Sequence, residues 1–383
     1  MGQRQSALAE QANSTVHGTS RRGACPLPSS ETRRTSMAIW IFEDTIGGGR
    51  FARPGAEPAD ASLRREGRAM VRALVESFSP RLKRELRVAW DSAAGEIPHG
   101  VAVDWIDHST ALDRWFRQAC DSSSSAGEGP TGLLIIAPES DLCLLHWVEL
   151  AERFGASLLS PDSRFVALAG DKTATRQWLI DREVPVPRHS ASGADGDEAW
   201  IIKPRDGCGS QQVLRHRGAR DEEPSAEQWP RDRWHVEPLV AGQAVSVACL
   251  GSRHGFRLLP PVTQSIDTRK GFAYGGGTYP LPNDLAARAT HLARLAVAAL
   301  PSTQGYFGLD LMLGATEADD VVIEVNPRLT TSYVALARRV GPWLGDSMCG
   351  SIGRGEGEGR TFVPELTVDA RPLSFEPTGL VKE

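Results

Sequence analysis

The stretch GYFGLDLMLGATEADDVVIEVNPRLTTSY, residues 305–333, constrains the fold of this chain most. It reads as two short apolar strands joined by an acidic loop. Side chains alternate between the two faces of a strand. Asp310 therefore shares a face with Met312, and Glu324 shares one with Val322 and Asn326. If Gly314 to Asp320 closes a hairpin, Leu313 lies opposite Val321, and counting outward places Asp310 opposite Glu324. Like charges directly opposite destabilise a sheet. One reading is an amphipathic hairpin whose acids are solvated. The other is a hard-oxygen cluster of two carboxylates and an amide, suited to Mg²⁺, with something cationic between the acids.

The rest of the chain decides what such a hairpin can serve. With 383 residues, two or three domains are expected. Hydrophobic residues make up 40% and charged residues 24%, as in a soluble globular protein. A net charge of −5, from 43 basic and 48 acidic residues, gives no case for nucleic-acid binding. No apolar run approaches the roughly 18–20 residues that span a bilayer. Cys25, Cys120, Cys143, Cys208, Cys249 and Cys349 are scattered without a CxxC pair, which fits a reduced, cytoplasmic setting. Residues 1–36 are rich in Ser, Thr, Arg and Gln and are expected to be disordered. They hold no apolar core of a secretory signal, and Met37 is an alternative start just before the first strand.

From residue 37 to about 160, strands alternate with helices. Ala38–Phe42, Leu86–Trp90, Val101–Ile106 and Leu133–Ala137 read as strands. Helical spacing runs from Leu63 to Phe78, near Ala111–Ala119 and from Leu142 to Phe154. That alternation indicates a doubly wound, Rossmann-like α/β domain, in which ligands bind at the carboxyl ends of strands. Glu43-Asp44-Thr45-Ile46-Gly47-Gly48-Gly49 and Pro138-Glu139 fall there. The glycine run is either a phosphate or carboxylate loop with free N–H groups or a plain flexible turn.

Beyond Ser160-Pro161, Asp171 is placed to cap a helix running to about Glu183. Lys172 then sits in the first turn, where a cation opposes the helix dipole, and bound phosphate would give it a reason to be there. Ala199–Pro204 is a strand carrying Lys203, followed by the glycine-bearing turn Arg205–Ser210 with Gly207 and Gly209. A hairpin whose backbone amides cover phosphates is one reading, and a solvent-facing lysine is the other; GxxxxGK[ST] is absent. Gln211–Glu227 reads as a charged loop. Strands follow at Trp234–Gly242, Gln243–Leu250, Phe256–Leu259 and Val262–Ile266, with Val245, Val247 and Cys249 on one face. Lys270–Thr278 is a glycine-rich loop, either a substrate loop or a linker. Asn283 or Asp284 is expected to cap a helix with Leu285, Leu292, Leu295, Val297 and Leu300 toward the core. A further helix ends at Val340, and low order is expected from Gly350 onward.

The order of these pieces resembles the ATP-grasp superfamily of carboxylate–amine ligases over most of residues 37–345. The segments LAGDK, IIKP and IEVNPRLTTS, with EDTIGGG after the first strand, are similar to the archaeal-type tyramine–glutamate ligases of methanofuran biosynthesis. The resemblance implies a Rossmann-like domain over 37–160, an ATP-grasp domain over 161–349 with a lid at about 185–240, and a tail over 350–383. It implies that Lys172 and Lys203 bind ATP phosphates under the Gly207–Gly209 hairpin. Glu237, Pro238, Leu239 and Val240 form the adenine hinge, with Glu237 a candidate for the ribose or the base. Asp310, Glu324 and Asn326 hold two Mg²⁺ ions, with Mn²⁺ as a substitute, and Arg328 neutralises the acyl phosphate. Many relatives carry an acid for the ribose two residues after the hinge glycine, where this chain has Ala244.

The activity so implied is ATP-dependent amide formation through an acyl phosphate, with glutamate and tyramine or a similar amine as substrates. No nucleic-acid or membrane partner is expected, and a homodimer is an open assembly. Two alternatives stand beside it. One is another ATP-grasp chemistry, such as a D-alanine–D-alanine-type or amino-acid ligase. The other is a nucleotide-binding regulator without turnover, for which Ala244 leaves room. No biotin-carrier segment is present to favour a carboxylase.

Overall fold

A computed structural model describes residues 38–53, 55–59, 61–124, 131–188, 198–207, 212–218, 223–252, 255–351 and 370–383. The expectation for residues 1–36 lies outside them. The N-terminal part runs β1 (Ile39–Glu43), α1 (Ala61–Glu76), α2 (Pro80–Lys83), β2 (Leu86–Asp91), β3 (Ala102–Ile106), α3 (Ser109–Ser124), β4 (Gly132–Ile136) and α4 (Cys143–Arg153). Its four strands form a parallel sheet in the order β3-β2-β1-β4. All of β1 is buried because both faces of the sheet are covered. Ile39 and Ile41 pack with Met70, Val71 and Leu74 of α1, while Trp40 and Phe42 pack with Trp115 of α3 and Trp147 of α4. A continuous apolar run is the sequence form of such a strand.

Next come α5 (Ser163–Ala169), α6 (Lys172–Ile180), β5 (Glu198–Pro204), β6 (Leu214–Gly218) and β7 (Trp234–Pro238). These three strands form a small antiparallel sheet in the order β6-β5-β7. β6 falls where a charged loop was expected, because its only apolar residue, Leu214, is exposed and leaves no alternation to read. α5 was also unanticipated, being just seven residues long.

The larger antiparallel sheet holds β8 (Gln243–Ser252), β9 (Gly255–Leu258), β10 (Val262–Thr263), β14 (Gly305–Leu313) and β15 (Val321–Asn326). Between them lie β11 (Ile266–Asp267), β12 (Ala273–Tyr274), β13 (Gly277–Tyr279) and α7 (Asn283–Ala299). After them come α8 (Tyr333–Val340), α9 (Pro342–Asp346), β16 (Leu373–Phe375) and β17 (Val381–Lys382). One face of the sheet packs Val245, Val247, Cys249, Leu309, Leu311 and Val325 against Ala289, Leu292, Ala293 and Ala296 of α7. Leu295 is exposed, contrary to expectation, because alanines complete the buried stripe one residue away. Pro282, not Asn283 or Asp284, holds the N-cap position of α7. The expectation of low order from Gly350 meets an ordered segment at 370–383, where β16 pairs with β13 and β17.

The opening hairpin forms with Asp310 opposite Glu324, but not by uniform counting. The register shifts between Asp310 and Leu311, so Val321 faces Met312 instead of Leu313, and Val322 faces Leu311. A β-bulge at Ile323 absorbs the extra residue. Its consequence is that Val322 turns to the α7 side with Val325, rather than sharing a face with Glu324. The opposite face is left with Asp310, Glu324 and Asn326.

Candidate active site

That polar face floors a cavity of about 230 Å³. Lys172, Lys203, Gly207, Glu237, Pro238, Leu239, Val240, Asp310, Glu324, Asn326 and Arg328 all line it. Gly209 lies outside the described residues. Lys172 is at the start of α6 because Asp171 caps that helix, accepting from the Ala174 amide at 2.9 Å. Lys203 lies on β5 and Glu237 on β7, diagonal to it in the register that pairs Lys203 with His235.

These side chains close a ring. Lys172 Nζ stands 3.2 Å from Glu324 Oε1 and donates to the Gly207 carbonyl. Lys203 Nζ stands 3.8 Å from Glu324 Oε2 and 2.7 Å from Glu237 Oε1. His235 Nε2 lies 3.3 Å from Glu237 Oε2, and its Nδ1 lies 3.0 Å from the hydroxyl of Thr173, the neighbour of Lys172. Burial would raise the pKa of Glu237, but the Lys203 ammonium and the His235 bond hold it down at about 2. Burial works to lower the pKa of Lys203, and the charges of Glu237 and Glu324 override it, so Lys203 is a firmly held cation. His235 is shifted downward by burial and is neutral at physiological pH. Both Glu237 oxygens are therefore engaged with Lys203 and His235, and the hinge offers its neighbours Pro238–Val240 to the cavity. Ala244 lines the cavity too.

On the other side, Asp310 accepts from Asn326 Nδ2 at 3.0 Å and from Gln264 Nε2 at 2.9 Å. Burial and then the facing Glu324 push its pKa up to about 6. The donors here are two carboxylates and an amide, all hard oxygens, and the raised Asp310 pKa is the electrostatic cost that a divalent cation removes. The residues fit Mg²⁺. Among the described residues no group of three or more His, Cys, Asp or Glu is placed to hold a metal, so any cation here relies on the Asn326 oxygen.

Arg328 projects toward the carboxyl end of the parallel sheet, where its Nε donates to Glu139 Oε2 at 2.9 Å. Glu139 was recognised from the sequence as lying at a strand's carboxyl end, without a role. The glycine run after β1 is a tight turn. Gly48 takes φ of +88°, and the Gly47 and Gly49 amides bond back to the carbonyls of Glu43 and Asp44. Those N–H groups are spent internally and offer no cradle. Glu43 beside them is buried and protonated at neutral pH, its pKa pushed up to about 8 by burial. Sequence reasoning missed His235, Thr173 and Gln264, and also Glu66, which lines the cavity; Tyr274, another lining residue, falls in the glycine-rich loop read as either a substrate loop or a linker. His235 was accessible in principle, since it stands two residues before Glu237 and so shares its face of the strand.

Residues 169–332 match the model of the ATP-grasp domain. An ATP-grasp superfamily protein from Archaeoglobus fulgidus superposes with a TM-score of 0.62 at 23% identity, covering 89% of this chain and 92% of that one. The fold is ATP-grasp. Carboxyaminoimidazole ribonucleotide synthase from Aspergillus clavatus, solved with ATP, gives a TM-score of 0.56 at 16% identity, over 89% of this chain and 82% of its own. L-amino acid ligase from Bacillus licheniformis gives 0.53 at 16% identity, over 88% and 79%. A comparison with curated proteins finds no match. The ATP-grasp segment contains every residue lining the cavity except Glu66, which comes from the parallel-sheet part before it, as does Glu139, the partner of Arg328. No described helix is long and apolar enough to cross a membrane.

Proposed function

We propose that this ATP-grasp protein is an ATP-dependent ligase joining a small-molecule carboxylate to an amine. The observation that carries the reading is the ring of Lys172, Lys203, Glu324 and Glu237 in one cavity with Asp310, Asn326 and Arg328. Phosphoryl transfer depends on positioning and charge neutralisation more than on a protein nucleophile. The two buried lysines supply fixed positive charge for the phosphates of ATP, and Pro238–Val240 supply the wall for the base. Mg²⁺, or Mn²⁺ in its place, held by Asp310, Glu324 and Asn326, would neutralise phosphate charge as a Lewis acid. Arg328, oriented by Glu139, meets the reacting carboxylate.

The substrate carboxylate attacks the γ-phosphorus, giving an acyl phosphate and ADP. The amine nitrogen then attacks the acyl carbon and phosphate leaves with the former carboxylate oxygen. Starting from an ammonium, one proton goes to the phosphate and one to solvent. The likeness of LAGDK, IIKP and IEVNPRLTTS to tyramine–glutamate ligases makes glutamate and tyramine the first pair to assay, for a role in making a methanofuran-type carrier. The test is ADP release with Mg²⁺-ATP against a matrix of carboxylic acids and amines. A rate that requires both glutamate and tyramine supports the finer reading, and a rate with another acid–amine pair supports only the general one. Asp310→Ala and Glu324→Ala are each expected to cut ADP release by on the order of 10²–10³ while the proteins stay folded. Undiminished turnover in both would refute the assigned roles.

A further inference from the structure

Strand β5 ends in the bend Arg205-Asp206-Gly207, and each of these residues is fastened. The Arg205 guanidinium forks onto the Asp171 carboxylate, Nε to Oδ1 at 2.8 Å and Nη2 to Oδ2 at 2.6 Å. Its carbonyl accepts from the Lys172 amide at 3.0 Å, and the Gly207 carbonyl accepts from Lys172 Nζ. Asp206 reaches the other way. Its Oδ2 accepts from the backbone amide of Asp141 at 2.9 Å, in the loop that leaves β4. Asp141 and Leu142 stand at φ of +56° and +57°, two successive left-handed residues of which neither is glycine. Strain of this kind persists where the surroundings enforce it. The Leu142 amide donates to the Glu139 carbonyl at 3.1 Å, which closes the strained turn on the residue that holds Arg328.

We propose that Asp206 is a positioning residue that ties the nucleotide half of the cavity to its carboxylate half. This rests on the ligase reading above. Phosphates held by Lys172 and Lys203 beneath Gly207 immobilise the Arg205–Gly207 bend. The Asp206 bond carries that order to the Glu139–Leu142 turn, and Glu139 passes it to the Arg328 guanidinium. Nucleotide thereby sharpens the site for the reacting carboxylate. A plain surface contact is the alternative, and the geometry favours coupling. Asp141 is exposed and Asp206 half-buried, so the bond adds little to stability. Yet it joins the small β6-β5-β7 sheet to the parallel-sheet part at a strained turn, two residues from Glu139. By linkage the effect is reciprocal: a bound carboxylate substrate tightens nucleotide by the same factor.

Hydrogen exchange of residues 139–145, followed in the full chain with and without Mg²⁺ and a non-hydrolysable ATP analogue, reads the first link without a substrate. The analogue is expected to slow exchange there by roughly fivefold or more in the parent and not in Asp206→Ala. Asp206→Asn keeps an accepting oxygen and is expected to restore the response. The second link is read from ADP release with the acid–amine pair that turns over fastest. Asp206→Ala is expected to raise KM for the acid at saturating ATP by roughly tenfold, while affinity for the ATP analogue alone stays within about twofold. The double variant with Glu139→Gln is expected to be no worse than Glu139→Gln by itself, because Asp206 acts through Glu139. No slowing in the parent, equal slowing in Asp206→Ala, or additive effects of the two substitutions would each overturn the assignment. Failure of the ligase reading has a different signature: exchange responds to the analogue in the parent and not in Asp206→Ala, yet no acid–amine pair releases ADP.

Discussion

At the scale of single residues, the ring around Lys203 owes its coherence to the protonation state of one histidine. With His235 neutral, two lysines and two glutamates sum to zero charge, three of the four being buried, which limits the cost of keeping ions there. A proton on His235 would add an uncompensated charge facing Lys203, with the Arg176 charge also acting on it. The sign of the pH effect follows. The folded pKa of His235 lies below its unfolded value near 6.5, so as pH falls below about 6.5 the unfolded chain takes up a proton the folded one resists, and stability drops. His235→Gln can still donate to Glu237 through its amide but does not titrate. Thermal melts between pH 7.5 and 5 should show a shallower acid loss in this variant than in the parent, with affinity for ATP retained within a few fold. An unchanged slope would mean that the acid loss arises elsewhere.

At the scale of elements, the acidic hairpin was legible because both its strands, though short, are mostly apolar runs with a polar loop between them. Its bulge was not, since the identity of Ile323 does not distinguish an unpaired position from a paired one. Asp310 met Glu324 all the same, because the one-residue shift that changes the loop end is cancelled at Ile323 before the acids are reached. What clamps the loop end is α7. Arg288 donates to Asp320 and to the Gly314 and Thr316 carbonyls, while buried Asp320 accepts from the Gly314 amide at 2.9 Å. Asp320→Ala removes the acceptor that holds the turn and leaves the half-buried Gly314 amide without this partner. The expected result is a drop of several degrees in Tm and a weaker grip of Glu324 on its lysines, read as a lower kcat. Equal melting and equal kcat would show that the strands hold their register unaided. Among the elements missed in the sequence, α5, β6, β12 and β13 share one cause. They are two to seven residues long and are formed by pairing or packing with distant partners, which no local period records.

At the scale of the whole molecule, the cavity is assembled from residues spread from Glu66 to Ser332, and the chain's end contributes indirectly. β16 pairs with β13, Gly277 opposite Phe375 and Tyr279 opposite Leu373, just after β12. The approach is close: a Cβ on Gly276, at φ of +93°, would stand 1.9 Å from the Phe375 carbonyl oxygen. Leu373 and Phe375 are buried in the core that also holds Leu336 of α8 and Val71 of α1, and Arg339 donates to the Pro372 carbonyl at 3.1 Å. The sequence of the tail concealed this, because the alternation Leu373-Ser374-Phe375 is too short, in a Pro- and Gly-containing stretch, to mark a strand. Full burial of a Leu or Phe side chain is worth about 1.5–3 kcal/mol. A chain ending at residue 369 forfeits both, together with the strand that backs β13. It is expected to melt well below the full chain. Calorimetric melting of the two chains makes the comparison. A truncated chain that melts with the full chain would show that the C-terminal strands are a surface addition rather than part of the frame around β13.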